Sequence, residues 1–402
     1  MNKQTQTKMF DFSDVDLDFC AGSKNKFPTV FKKMLAQGYN SKVVSSVTVS
    51  SDQVTLDYGV NHGYVADRAL AINTTGLSGE FYIDSVTSNT VTLTVPNAPT
   101  SITGGFTTKV ASLGWELVYE QAHIHIYKFK HIDETDQYAR LCFQNTTGTG
   151  RNCIAVGVGK TANLSTGAIT DANCLPDLAS CQTVDEATSN FKWDFVSPTT
   201  RTYDNYTYSQ GLATFGRGVV VGSKYHIALL FSAASSAIYT GICGIFPTAS
   251  IGYESLDYPL VWGSIVAPTA NISAMTVVAA AYIASTPVIF LPTTTTTSQL
   301  DSFSVRAASS FLPVAIDNFN TTTGELIPLY IKANGQFVGY AHGVFRLEYG
   351  GSNTPPMLPT ESPSTTVDID LNSTIQVHKL SGSSSANHAT FYAFPVEPVK
   401  YA

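Results

Sequence analysis

The chain has 402 residues, 13% charged side chains and a formal net charge of −7 at pH 7. At ~150 residues per module that length predicts two or three modules, and a charged fraction well under the ~25% of ordinary soluble domains suits extensive subunit contacts. A pI near 5.6 with no basic stripe excludes a nucleic-acid partner, because phosphate binding needs clustered Lys and Arg.

Residues 1–18 are polar and end in acidic side chains, without the basic start and apolar middle of a secretory signal. Synthesis and assembly in a cytosol are therefore expected. Asp14, Asp16 and Asp18 alternate like the start of a calcium loop. Phe19 replaces the glycine of the sharp bend, however, and Asn25 stands where a bidentate Glu belongs. A solvated acidic lead-in to the first strand is the simpler reading.

Residues 26–38 carry the clearest helical period. Phe27, Val30, Phe31, Met34 and Leu35 share one face, Pro28 suits the first turn and Gly38 the stop. From residue 43 to about 110 the period drops to two, in runs at 46–50, 53–58, 80–86 and 90–95. Turns at Asn61-His62-Gly63, residues 75–79 and Ser88-Asn89 separate them, which predicts a small antiparallel sandwich or barrel.

Further strands are expected at 115–119, 123–131, 140–144, 152–158, 191–195 and 218–231, then at 326–332, 336–345, 374–380 and 390–394. No further helix is expected. The Thr/Pro/Ser-rich stretches 291–298 and 353–366 read as extended connectors. Residues 258–300 contain no Asp, Glu, Lys or Arg. Pro287 and weakly apolar alanines dilute the run below a spanning helix, so buried strands or a dry subunit contact are expected there.

Three stretches invite a chemical reading. His123, His125 and His131 share one strand parity, opposite Ile124 and Ile126, and His123 and His125 lie ~6.6 Å apart at ~3.3 Å per residue. A third metal ligand is missing nearby, so any site must borrow from another strand or subunit; an exposed polar face is expected instead. Gly157-Val158-Gly159-Lys160-Thr161 imitates a phosphate loop, but Ile154 stands where its first glycine belongs, which leaves a strand running into a turn. Cys20, Cys142, Cys153, Cys174, Cys181 and Cys243 show no zinc or redox spacing and are expected to be reduced, mostly buried thiols. Sequons such as Asn145-Thr146-Thr147 and Asn205-Tyr206-Thr207 are what a Thr-rich chain produces by chance. No carboxylate pair, G-x-S-x-G elbow or Cys/His arrangement marks a catalytic centre, so no catalytic, cofactor-binding or metal residue is assigned.

The helix ending in Gly38-Tyr39-Asn40-Ser41-Lys42 and the strand opening with Leu113-Gly114-Trp115-Glu116 resemble a broad, uncharacterised group of bacteriophage virion and tail structural proteins. In that group a short helix runs into a G-Y-x-x-K-like turn, followed by a G-W strand and a β-rich body. Here residues 43–110 separate the two halves. That stretch resembles a small β-module common in phage structural proteins, through His62-Gly63-Tyr64, residues 77–86 and residues 89–93. The resemblance covers roughly the first 160 residues. It implies a virion role and carries over no site residues.

The fold expected is mainly β, with antiparallel sandwich or barrel modules and one short N-terminal amphipathic helix. Residues 1–42 plus 111–200 are expected to form a β-rich core domain, 43–110 an inserted module and 201–402 a sandwich-like domain. The function expected is a non-enzymatic structural component of a phage tail, neck, collar or baseplate. It would assemble as a symmetric homo-oligomeric ring with other phage proteins, without cofactor, nucleic acid or membrane span. The charge-free 258–300 stretch is the expected contact. A host-surface glycan-binding protein and a polysaccharide depolymerase are the alternatives.

Overall fold

The computed structural model describes residues 7–144, 152–187, 192–195, 204–232, 240–253, 256–266, 277–290, 325–347, 355–368, 373–381 and 389–396. The expected 291–298 connector and the sequon at Asn145 lie outside them. As expected, the chain is mainly β and antiparallel, with only short helices.

The first helix follows its sequence signal. It runs over Phe27–Lys32 and widens into a π-turn over Lys33–Gln37. Its apolar face is buried: Phe27 meets Phe195 at a ring distance of 4.8 Å and Phe31 meets Phe143 at 5.4 Å. Burial of two such rings is worth ~1.5–3 kcal/mol each. Gly38 ends the helix with φ +74°, a conformation that costs a glycine little. The backbone then turns directly into the strand Tyr39–Val43.

Residues 39–110 form two four-stranded sheets. One orders Tyr39–Val43, Thr107–Val110, Ala69–Thr74 and Leu77–Tyr82; the other orders Ser46–Ser50, Gln53–Asp57, Thr90–Thr94 and Ser85–Val86. Alternation does its expected work here, as Val54, Leu56, Val91 and Leu93 point inward between threonines that point out. Strand pairing starts at Tyr39, so residues 39–42 belong with this module. On leaving it, the chain returns to the helix, where Leu113 N donates to Met34 O at 2.8 Å and Trp115 N to Leu35 O at 3.0 Å.

A five-stranded sheet follows, ordered Glu116–Gln121, Ile124–Lys130, Asp136–Phe143, Cys153–Gly159 and Trp193–Asp194. Beyond it lies a 13-stranded sheet that wraps back on itself. Its path runs from Thr7–Asp11 through Gly218–Ser223, His226–Ser232, Thr240–Phe246, Leu260–Val266, Val277–Ile283, Thr286–Ile289, Glu325–Ile331, Phe337–Leu347, Ala389–Pro395 and Ser373–Ser381 to Ser364–Asp368, with Thr248–Ser250 on the side. Aromatic contacts across the enclosed core mark the wrap: Trp262 meets Tyr392 at 5.2 Å, and Phe246 meets Phe394 at 6.3 Å. Curling lets distant strands of one sheet bury their apolar faces against each other.

Several expectations are corrected. Thr7–Asp11 pairs with Val219–Ser223, so the N-terminal strand belongs to the large sheet and not with residues 111–200. The single run expected over 218–231 is a hairpin that turns at Lys224-Tyr225. Two further helices are present among the described residues, the single turn Pro176–Ala179 and Tyr208–Phe215, the latter started by a capping box in which Thr207 and Gln210 satisfy each other's backbone amides. In the expected connector 353–366, Ser362 and Pro363 are buried and Ser364–Asp368 is an edge strand.

The described strands of the charge-free 258–300 stretch, Leu260–Val266, Val277–Ile283 and Thr286–Ile289, lie along the path of the chain's own large sheet. Tyr258, Leu260, Val261, Trp262 and Ile283 are buried within it, so this part is not an exposed contact surface. Among the described residues no helix is long and apolar enough to cross a membrane.

Candidate functional site

The hairpin Ile124–Lys130 to Asp136–Phe143 places its turn, residues 131–135, at the junction with the large sheet. The turn is tightly pinned. His131 N donates to Thr135 O at 2.9 Å, and the Asp133 carboxylate accepts from Thr135 N at 2.9 Å and from Thr135 Oγ1 at 2.6 Å. Neighbouring contacts dock it: Lys130 N donates to Lys224 O at 3.0 Å, and Lys224 Nζ lies 2.9 Å from Glu134 Oε1.

Contrary to the exposed polar face expected of the three histidines, His125 and His131 are buried and only His123 is partly open. Ile124 and Ile126 are buried as well, so this strand is covered on both faces. His125 Nδ1 bonds Tyr127 Oη at 2.9 Å, and burial pushes its imidazole down to about 4. His125 Nε2 also lies 3.7 Å from Glu120 Oε1, but His131 stands apart because two carboxylates, Asp133 and Asp257, face one of its nitrogens.

His131 Nδ1 lies 3.4 Å from Asp133 Oδ1 and 3.9 Å from Asp257 Oδ1. One ligand atom from each of the three residues falls within 4.8 Å of the others. His131 is 2% exposed, and neither ring nitrogen has a hydrogen-bond partner. Burial works to raise the Asp133 pKa, but the Thr135 bonds and the nearby His131 outweigh it and hold this carboxyl below its usual range.

Asp257 sits just before the strand Leu260–Val266 and is steadied by Tyr258. Thr248 Oγ1 donates to Tyr258 O at 2.7 Å, Tyr258 Oη donates to Asp171 Oδ2 at 2.9 Å, and Lys160 Nζ lies 4.5 Å from the Tyr258 ring centre. Lys160 Nζ is also 3.4 Å from Asp257 Oδ2. Gly159 ends its strand there, and the phosphate-loop look-alike thus contributes one lysine to an ion-pair network. His342, on Phe337–Leu347, completes the surroundings: burial first, and repulsion from His131 second, lower its pKa.

The three early aspartates form no common site. Asp14 is buried and clamped by Arg68, Asp16 pairs with Lys33 at 2.7 Å, and Asp18 accepts from Tyr208 N at 3.0 Å. They follow the first strand, and Asp14 is buried rather than solvated. All six cysteines are buried and none forms a disulfide. Arg140 Nη1 approaches Cys181 Sγ at 3.4 Å, and hydrogen bonds from Cys142 and then the cationic Arg140 acidify that thiol. The pairs Ser223–His226 and Ser362–His378 have hydroxyl-to-imidazole distances of 2.8 and 3.0 Å, but every member is buried, out of reach of a substrate in this conformation.

Sequence reading named His131, and Lys160 only as part of a phosphate-loop look-alike, but missed Asp133 and Asp257. The spacing His131-Ile132-Asp133 is a local signal; the approach of Asp257 is set by the docking of two sheets.

A second surface feature lies on the large sheet. Leu326, Tyr340 and Ile251 are exposed, and the rings of Tyr330, Phe337 and Tyr340 adjoin each other at 5.5 and 5.1 Å. Residues 326–331, 333–345 and 240–253 contain no Asp, Glu, Lys or Arg, so the centre of this outward face is low in charge, with exposed Lys332 and the Glu325–Arg346 ion pair at its margins. Compared with known proteins, the chain matches no family model, no curated sequence and no solved structure.

Proposed function

We propose that this chain is a structural building block of a bacteriophage virion, in the tail, neck, collar or baseplate, that acts by assembling with copies of itself and with neighbouring phage proteins. The reading assigns it no reaction. The observation that carries it is the outward face of Leu326, Tyr330, Phe337, Tyr340 and Ile251. Contiguous exposed apolar surface on a soluble chain marks a contact site, and covering it by a repeated interface removes it from water. The low charge of the whole chain and the resemblance of its first 160 residues to phage structural proteins point the same way.

Light scattering on the purified chain tests this: an oligomer whose mass does not change on dilution is expected. A strict monomer at high concentration, or virions that lack the chain, would overturn it. The ring platform Tyr330–Phe337–Tyr340 favours one second reading, a glycan-binding role in host recognition, because flat aromatic faces cover the apolar faces of sugars. A glycan array that gives specific binding by the monomer would move the assignment there.

A further inference from the structure

We propose that His131, Asp133 and Asp257 bind one divalent transition cation of the zinc class, which staples the turn of the five-stranded sheet to the large sheet. Two carboxylates near one another are common on protein surfaces and mean little alone. What singles out this place is His131, 2% exposed, with no hydrogen-bond partner at either nitrogen and with Nδ1 facing both carboxylates. A buried imidazole left in that state is costly. A shared proton satisfies it poorly, since separations of 3.4 and 3.9 Å exceed the ~2.7–3.2 Å of a hydrogen bond.

The spacing suits a cation better. With ligand atoms ~2.0–2.2 Å from a metal at tetrahedral angles, neighbouring ligands stand roughly 3.3–3.6 Å apart. The two distances from His131 need adjustments of a few tenths of an ångström, and the two carboxylate oxygens, within 4.8 Å of each other, close around the ion by rotation of the half-exposed Asp257 side chain. One nitrogen and two carboxylate oxygens favour zinc and its neighbours over calcium, which takes six to eight oxygens. Asp133 and Asp257 are 45% and 40% exposed, so water can complete the coordination from the open side. The Thr135 bonds hold the Asp133 carboxylate in place, as outer partners do around bound metals.

Lys160 is the competitor. Its ammonium lies 3.4 Å from Asp257 Oδ2, and its side chain is 37% exposed, so it has room to swing into solvent as a cation enters. The ion would tie residues 131–133 to residue 257 across two sheets. It supplies cohesion and no chemistry, and it is independent of whether the chain assembles in a virion.

Zinc chloride titrated into the chelator-treated full chain, with a competing chelator to fix the affinity, tests the site. One zinc per chain is expected. Asp257→Asn, at a half-open position where folding should survive, should weaken binding at least tenfold, and Lys160→Met should strengthen it. Melting temperature should rise with the logarithm of free zinc in the native chain and in Lys160→Met, and stay flat in Asp257→Asn. Equal zinc affinity in the native chain and Asp257→Asn would place the ion elsewhere, for instance on thiols, and overturn the proposal. So would the absence of zinc binding, calcium binding as tight as zinc, or Lys160→Met binding no better than the native chain.

Discussion

Arg68 grips Asp14 with two parallel bonds, Nε to Oδ2 at 2.7 Å and Nη2 to Oδ1 at 2.9 Å, across 54 residues of sequence. Both side chains are almost fully enclosed, at 7% and 6% exposure. Tyr39 Oη adds a third donor to the same carboxylate at 2.6 Å, and Asp11 N a fourth at 3.1 Å. The clamp fastens the segment after the first strand of the large sheet to the small sandwich.

Removing one partner leaves the other charge buried and unpaired. Asp14→Ala is therefore expected to destabilise the chain by about 3–5 kcal/mol, read as a lower urea midpoint. Replacing both partners, as in Asp14→Leu with Arg68→Met, should cost less than Asp14→Ala alone. A double variant weaker than the single one would show that the pair itself adds net stability.

Acid should loosen the large sheet before its carboxylates titrate. Burial holds the His226 imidazole down to about 4 and that of His378 down to about 3, where Ser362 Oγ and Phe231 O fix the neutral ring. Both values lie below the ~6.5 of an unfolded imidazole, so the unfolded chain binds protons first. Stability is full above pH ~6.5 and falls as the pH drops toward 4, by several kcal/mol at ~1.4 kcal/mol per pH unit and residue. Urea midpoints between pH 7 and 4 check this, and His378→Gln should flatten the slope. A midpoint constant over that range would contradict it.

Gly38→Ala should destabilise by about 1–3 kcal/mol. An added Cβ would stand 2.4 Å from Val110 O, and φ there is +74°. Because Val110 ends the last strand of the small sandwich, the loss should appear in global unfolding, whereas Gly252→Ala, open on all sides, should show backbone strain alone.

Tyr340→Glu places a charge in the middle of the apolar outward face. If that face is the contact between copies, the oligomer should dissociate at micromolar concentration while circular dichroism stays native. An unchanged mass in light scattering would move the contact to another surface.

Strand-rich texture, the amphipathic helix and the alternating strands of the small sandwich were legible because they are local. Periods of 3.6 and 2 say which side chains share a face, and Val54, Leu56, Phe27 and Phe31 lie on the buried faces those periods imply. Local signals also went unread: Thr207 and Gln210 spelled a capping box ahead of the helix Tyr208–Phe215.

What parity could not decide was which faces are covered. A strand in one isolated sheet exposes one side, so His125 and His131 read as outward; stacking of further elements over the five-stranded sheet buried both. For the same reason the uncharged 258–300 stretch read as a contact between molecules, whereas Leu260, Trp262 and Ile283 of its described part belong to this molecule's own core. Composition and short-range pattern together determined that the chain folds as low-charge β-sheet, since alternation and turn residues act within a few positions. The tertiary structure alone decided that Asp257 meets His131 and Arg68 meets Asp14, because such pairings depend on how whole sheets dock.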